Sequence, residues 1–373
     1  MTARTPVPFA LDAAAPTLAA WLDAHAETID TTQDLAADIL PRLGAADLLR
    51  IGVPAQYGGA GGSTVDAIEA IAAVARRSLA AAFVFWGQRA FIEYLLQSPN
   101  GALRERWLPA LVAGERAGAT GLSNAMKYLS NIEPLQMSAT PVEGAAARWT
   151  LNGQLPWITN LRREGFIVAA AFDNADGRAP SIFAVPHDAN GVSRSDDLDL
   201  IALRSSNTAA LRLDGTVLDA DWLIAADAAA FLAHARPAFL GLQCGMSIGL
   251  ARRALEAVAA SSPPVRAATG DEAAGLAREL DALTQRLYAG IDSGAFVSAP
   301  ASQFGVRIGL ASVVGAASQL EVQAAGGRGY LRGTGGVARR AREAAFVPIV
   351  TPSIVQLKNQ LAQHSSSRQT NAA

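Results

Sequence analysis

Trp157 and Thr159 stand two positions apart in Leu155-Pro-Trp-Ile-Thr-Asn160. Alternate side chains on a strand share a face, so the spacing predicts an indole and a hydroxyl side by side. An indole face covers a flat ring and a hydroxyl donates to that ring's polar edge; the structural alternative is a buried Trp beside a locally paired hydroxyl. A second candidate is Gln323-Ala-Ala-Gly-Gly-Arg-Gly-Tyr330, where Gln323 both donates and accepts, and Gly326 and Gly327 let the backbone approach a nucleotide closely. The same glycines also suit a helix end followed by a turn. His234 lies on a helical stretch just before Pro237 and is a candidate for acid/base work, against the commoner solvated histidine.

The elements that must position these groups fall into three blocks. From about Ala13 to Ser123, apolar residues recur at three- and four-residue spacing, which predicts helices. Gly52-Val-Pro-Ala-Gln-Tyr-Gly-Gly-Ala-Gly-Gly62 interrupts them, either as a flexible loop or as close backbone packing. After Ser123, short apolar runs are broken by Gly, Asn and Asp, and Asn152-Gly153 reads as a hairpin turn. From about Ala228 helices return, each with an apolar stripe. This order predicts an α+β, mostly α protein of segregated layers: a helical domain (1–118), a β domain (119–226) and a helical bundle (227–373). No fixed-period repeat is present.

Composition narrows the chemistry. With 373 residues, 50% apolar and 17% charged, the chain can bury more than one core. A net charge of −2 gives no pull toward nucleic acid or an anionic membrane. The single cysteine and four scattered histidines supply no disulfide framework and no metal-ligand spacing. Prolines at 6, 8 and 16 and Asp12 break the N-terminal apolar residues before a membrane-length run forms, so the expectation is a cytoplasmic protein.

Several segments together resemble the acyl-CoA dehydrogenase family. They are Ile51-Gly-Val-Pro-Ala-Gln-Tyr-Gly-Gly-Ala-Gly-Gly-Ser63, Trp107-Leu-Pro-Ala-Leu with Gly114-Glu, Leu151-Asn-Gly with Trp157-Ile-Thr-Asn160, and Gln323 to Tyr330, in the family's order over nearly the whole chain. The resemblance implies the family fold, with a C-terminal four-helix bundle in a homotetramer or other homo-oligomer, and a flavin, FAD or alternatively FMN. It implies that Trp157 lies on the isoalloxazine ring and Thr159 near its N5, that Ser123 contacts its pyrimidine edge and Ser130 its phosphates, and that Leu122, Ser353, Gln323, Gly326 and Gly327 complete the contacts. The last three would meet the adenosine end held by a neighbouring subunit. The implied reaction is oxidation of an acyl-CoA or other small organic substrate, with an electron-transfer flavoprotein as acceptor.

The departures from the family pattern are chemical. Where the family has Thr-Glu-Pro-x-Ala-Gly-Ser-Asp, this chain reads Ser123-Asn-Ala-Met-Lys-Tyr-Leu-Ser-Asn131. Where it has Arg-x-x-Phe-Gly, the stretch is Ser261 to Gly270, with Arg266 as a substitute. Removing the proton beside a thioester needs a base charged near neutral pH, yet the resemblance puts Thr351, or Val350 if the register slips by one, where the family places its glutamate, and neither can be that base. Glu343, beside Arg342, reads as a structural ion-pair partner. The alternatives are a flavin-dependent monooxygenase fed by a flavin reductase, whose relatives on this fold also lack the glutamate, and a non-catalytic relative that keeps the fold.

Overall fold

A computed structural model describes residues 8–370 except 146, 332 and 334, with 364–370 as helical backbone only. The N-terminal helices are α1 (Leu11–Ala14), α2 (Pro16–Thr31), α3 (Ala36–Ala45), α4 (Thr64–Ala75), α5 (Leu79–Gln97) and α6 (Gly101–Val112). Helix α5 has the length and apolarity of a membrane span, but 89% of that window is buried inside the fold. The glycine run before α4 is closely packed: Gly52 N–H donates to Gly61 O at 2.8 Å, and a Cβ at Gly59 would stand 1.9 Å from Val53 O. Ser63 and Asp66 then cap α4 reciprocally.

The middle strands are β1 (Ala117–Thr120), β2 (Met137–Pro141), β3 (Arg148–Ile158), β4 (Phe166–Asn174), β5 (Ser181–Pro186), β6 (Val192–Arg194), β7 (Ala209–Asp219) and β8 (Leu223–Ala225). They form one sheet in the order β6-β7-β3-β2-β4-β5-β8, with β1 parallel to β4. Asn152-Gly153 is not the expected hairpin turn. It lies inside β3, at a register shift against β7, because Gly153 (φ 131) sits so close to Gln136 O that a Cβ would be 2.3 Å away. A short helix, α7 (Ser123–Tyr128), follows β1.

The C-terminal helices are α8 (Ala228–Ala259), α9 (Pro263–Asp292), α10 (Ala295–Ser298), α11 (Pro300–Ala325), α12 (Val337–Phe346) and α13 (Ile354–Thr370). Helices α8, α9 and α11 pack side by side, with α12 and α13 against α11. Helix α4 joins them backbone to backbone, since Cβ atoms at Gly245 and Gly249 of α8 would stand 2.7 and 2.1 Å from Ile68 O and Ala72 O. The aromatic contacts Trp86–Phe239 and Tyr94–Phe231 bring α5 onto α8 in the same layer.

Candidate functional site

The ends of β1 and β3 converge: a Cβ at Gly121 would meet Leu155 Cδ1 at 3.0 Å, and Gly87 of α5 admits the Thr159 methyl at 3.2 Å. Around this junction stand Leu122, Ser123, Trp157 and Thr159. Trp157 and Thr159 do not share a surface as the alternation predicted. The indole is 62% exposed, whereas Thr159 is 4% exposed and donates to Ser206 O at 3.1 Å. The cause is local: β3 shifts register between Leu155 and Ile158 around Pro156 and ends before Thr159, so strict alternation lapses there.

Ser123 and Thr351, 228 positions apart, meet here, with Ser123 Oγ donating to Thr351 Oγ1 at 2.8 Å. Gln243 of α8 donates to Thr351 O at 2.9 Å, and Arg307 of α11 donates from Nε to Gln243 Oε1 at 2.8 Å and from Nη2 to Val347 O at 2.6 Å. Thus α7, α8 and α11 all anchor the connection between α12 and α13. Sequence reasoning missed Gln243 and Arg307; their signal was two large polar residues inside apolar helical stripes. Arg307 is fully buried and has no carboxylate partner among the described residues, so burial lowers its pKa from the ordinary value. The neighbouring Cys244 thiol is pushed up to about 11 by its own burial.

Other expected contacts are committed elsewhere. The segment Ser123–Tyr128, expected as a cofactor loop, is helical, and its closing Ser130 turns inward: its Oγ donates to Met126 O and accepts from Gln360 Nε2, both at 2.6 Å. Losing the family's glycines removes the backbone freedom that would keep this stretch extended. Ser353 exchanges hydrogen bonds with Gln356 at the start of α13. Gln323, Gly326 and Gly327 lie exposed at the end of α11, with nothing near either glycine. His234 is exposed and its Nδ1 lies 3.1 Å from Ala230 O on its own helix. Arg266 donates to Ala259 O and Ser261 O, closing the end of α8. Glu343 is an ion-pair partner, but of Arg339, while Arg342 reaches Asp30 and Glu27.

Residues 10–115 match the family described as the N-terminal domain of acyl-CoA dehydrogenases. Mitochondrial isovaleryl-CoA dehydrogenase of Pongo abelii is 30% identical over 206 residues, 52% of this chain and 48% of that protein. These matches support an acyl-CoA dehydrogenase family member. A probable acyl-CoA dehydrogenase of Mycobacterium leprae is 27% identical over 62% of this chain and 60% of its own length. The chain spans about half the length of the first curated acyl-CoA dehydrogenases it matches. In fold, it resembles a glutaryl-coenzyme A dehydrogenase complexed with glutaryl-CoA, at TM-score 0.83 and 19% identity over 98% of this chain and 97% of that one. It also resembles KijD3 in complex with FMN and a dTDP-sugar, at TM-score 0.79 and 21% identity over 96% and 93%.

Proposed function

We propose that this chain is a flavin-dependent oxidoreductase that holds its flavin through the ring more than through the phosphates. The observations that carry this reading are the exposed Trp157 indole near the end of β3 and the Ser123–Thr351 pair just after β1, on the two strands whose ends converge. A flavin bound there supplies an acceptor or donor of an electron pair. The residues fit its ring: Trp157 offers a flat apolar face, and the half-buried Ser123 offers a hydroxyl in exchange for its bond to Thr351. They do not fit its phosphates, because Ser130 is 2% exposed and bonded to Met126 and Gln360.

Thr351 bears a hydroxyl that stays neutral at physiological pH, so it removes no proton beside a thioester. That supports a second reading on the same site, a monooxygenase that takes reduced FMN or FAD from a flavin reductase, since such a protein needs an exchangeable flavin and no carboxylate base. Under the first reading the substrate is an acyl-CoA or another small organic molecule and the partner an electron-transfer flavoprotein. Under both, a homo-oligomer places the Gln323 loop against a neighbour.

The experiment is titration of flavin-free protein with FAD, FMN and riboflavin, followed by flavin fluorescence. Riboflavin within a few fold of FMN, with Trp157→Ala weakening both about tenfold, supports ring-centred binding. FAD at least a hundredfold tighter than riboflavin overturns it, and uptake of none of the three assigns a non-catalytic relative. Anaerobic bleaching by acyl-CoA thioesters selects dehydrogenation, whereas oxygen uptake only with an added reductase selects the monooxygenase. Thr351→Glu restores a carboxylate where the family carries one, and thioester dehydrogenation should rise; an unchanged rate in flavin-loaded variant protein counts against Thr351 as that position.

A further inference from the structure

Asp30 of α2 and Glu343 of α12 are fully buried carboxylates from opposite ends of the chain. Asp30 accepts from the Leu203 N–H at 2.8 Å and from Arg342 at 2.8 and 3.1 Å. Glu343 Oε1 accepts from the Leu79 N–H that opens α5 (3.0 Å) and from Arg339 (2.7 Å), while its Oε2 is buried without a partner. The two carboxylates therefore tie α2, the start of α5, α12 and the connection before β7 at one junction. Glu27 of α2 joins the cluster through Arg342 at 2.8 Å. Three carboxylates share two guanidiniums, so one added proton balances the charge. Arg204, next to Leu203, pairs with Asp199 instead, and α5 offers the cluster its Leu79 N–H.

Leu203 is also a point of backbone strain. Its φ of 59° lies in the left-handed region, as does that of Asn207 (51°), at the two ends of the turn Arg204–Ser206. Residues other than glycine stay there only where their surroundings hold them. Asp30 holds one end, and the Asn207 side chain, donating to Ala36 O at 2.9 Å, holds the other. From this turn hydrogen bonds run to the candidate site. Ser206 N–H donates to Leu203 O at 3.1 Å, and Ser206 O accepts from the Asn160 N–H at 3.0 Å and from the Thr159 hydroxyl at 3.1 Å. Burial, and then Glu343, raise the pKa of Asp30 to about 6, outweighing the Leu203 and Arg342 bonds that favour ionisation. Ionised Asp30 gains by reaching water, and it reaches water only by leaving Leu203 and α12.

We propose that the Asp30–Glu343 pair is a proton-operated latch: with its proton it clamps α2, α12 and the strained turn together, and without it the junction opens and loosens the support of Thr159 and Asn160. The sign follows from Asp30, whose folded form keeps its proton to higher pH than the unfolded chain does. Closure is therefore favoured in acid and weakens as pH rises through about 6. The latch uses the geometry of the candidate site and is tested without flavin, so a failure of the flavin reading leaves it intact.

The test is hydrogen exchange of the full flavin-free chain from pH 5 to pH 8, each amide rate divided by that of an unstructured peptide at the same pH. Protection of the Leu79, Leu203, Ser206 and Asn160 amides should fall together by about tenfold, levelling off above about pH 6, while the β4 amides hold. Asp30→Asn, which has no proton to lose, should flatten the curve. Glu343→Gln removes a charge that raises Asp30 and should shrink the fall, whereas Arg342→Gln removes one that lowers it and should enlarge the fall. Protection independent of pH in the wild type, the same fall in Asp30→Asn, or an equal loss in β4, which would mark global opening, overturns the latch. Should Asp30→Asn fail to fold, Glu343→Gln decides, since an unchanged fall in that variant also overturns it.

Discussion

Two groups of buried arginines in this protein are treated in opposite ways. Within the bundle, Arg340 meets Glu321 through both Nε and Nη2 and Arg339 meets Glu343 at 2.7 Å, while the half-buried Arg252 meets Glu69 of the N-terminal helix α4 at 2.8 and 3.0 Å, with the Tyr288 hydroxyl completing the last carboxylate. Around the candidate site, Arg307 is held by one amide and one carbonyl, and Arg89 by no hydrogen bond at all. The first group locks helices together with matched charge. The second leaves positive charge without a paired carboxylate inside α5 and α11. Matched pairs serve architecture, and unmatched cations carry a desolvation cost that no counter-charge offsets.

The contrast breaks most visibly at the matched end. Glu321→Ala leaves Arg340 buried without its carboxylate and should cost about 3–5 kcal/mol, read from the urea midpoint. An effect under about 1 kcal/mol would mean the paired group is no more committed than the unpaired one.

Asp30 gives the next effect, and its sign is opposite to that of an ordinary salt-bridged carboxylate. It is fully buried on α2, accepts from Leu203 N–H and Arg342, and faces Glu27, Glu343 and Arg339. Burial, and then Glu343, push its pKa up from 3.8 to about 6. The folded state therefore binds this proton where the unfolded chain has released it. Its contribution to stability is complete below about pH 4 and is lost as pH rises through about 6, a change of about 3 kcal/mol. Wild type minus Asp30→Asn, compared in urea midpoints from pH 4 to pH 7, should trace that fall; a flat difference would show that Arg342 neutralises the group throughout.

Gln243→Ala removes the link between the two kinds of site, leaving Arg307 Nε and Thr351 O unbonded. About 1–3 kcal/mol should be lost, together with the fixed position of the α12–α13 connection, visible as faster amide exchange at residues 348–353. The smallest change belongs to Arg89→Met, whose stability should lie between unchanged and about 1 kcal/mol higher, since an apolar side chain of similar size replaces an unbonded cation. A large loss there would place Arg89 among the architectural arginines.

Much of the architecture was legible because hydrophobic periodicity is local. Three-and-four spacing wrote the helices at both ends, and short broken runs wrote the sheet between them. Asn152-Gly153 misled because a hairpin turn and a strand bulge both use glycine at positive φ, and only the proximity of Gln136 decides between them. At the candidate site, Trp157 and Thr159 stood out by type, but a register shift in β3 separated their exposures. The meeting of Ser123 with Thr351 was beyond reach of spacing, and Arg89 was hidden in an apolar helix whose charged residues are an Arg and a Glu four positions apart.

The sequence by itself determined the order of the layers and the family-like motifs, because residue identity and short-range pattern carry both. Only the tertiary structure decided which hydroxyls are bonded inward and which arginines have counter-charges. Those outcomes depend on contacts between elements far apart in the chain, whose strength is set by burial and by what each polar atom finds when water is removed.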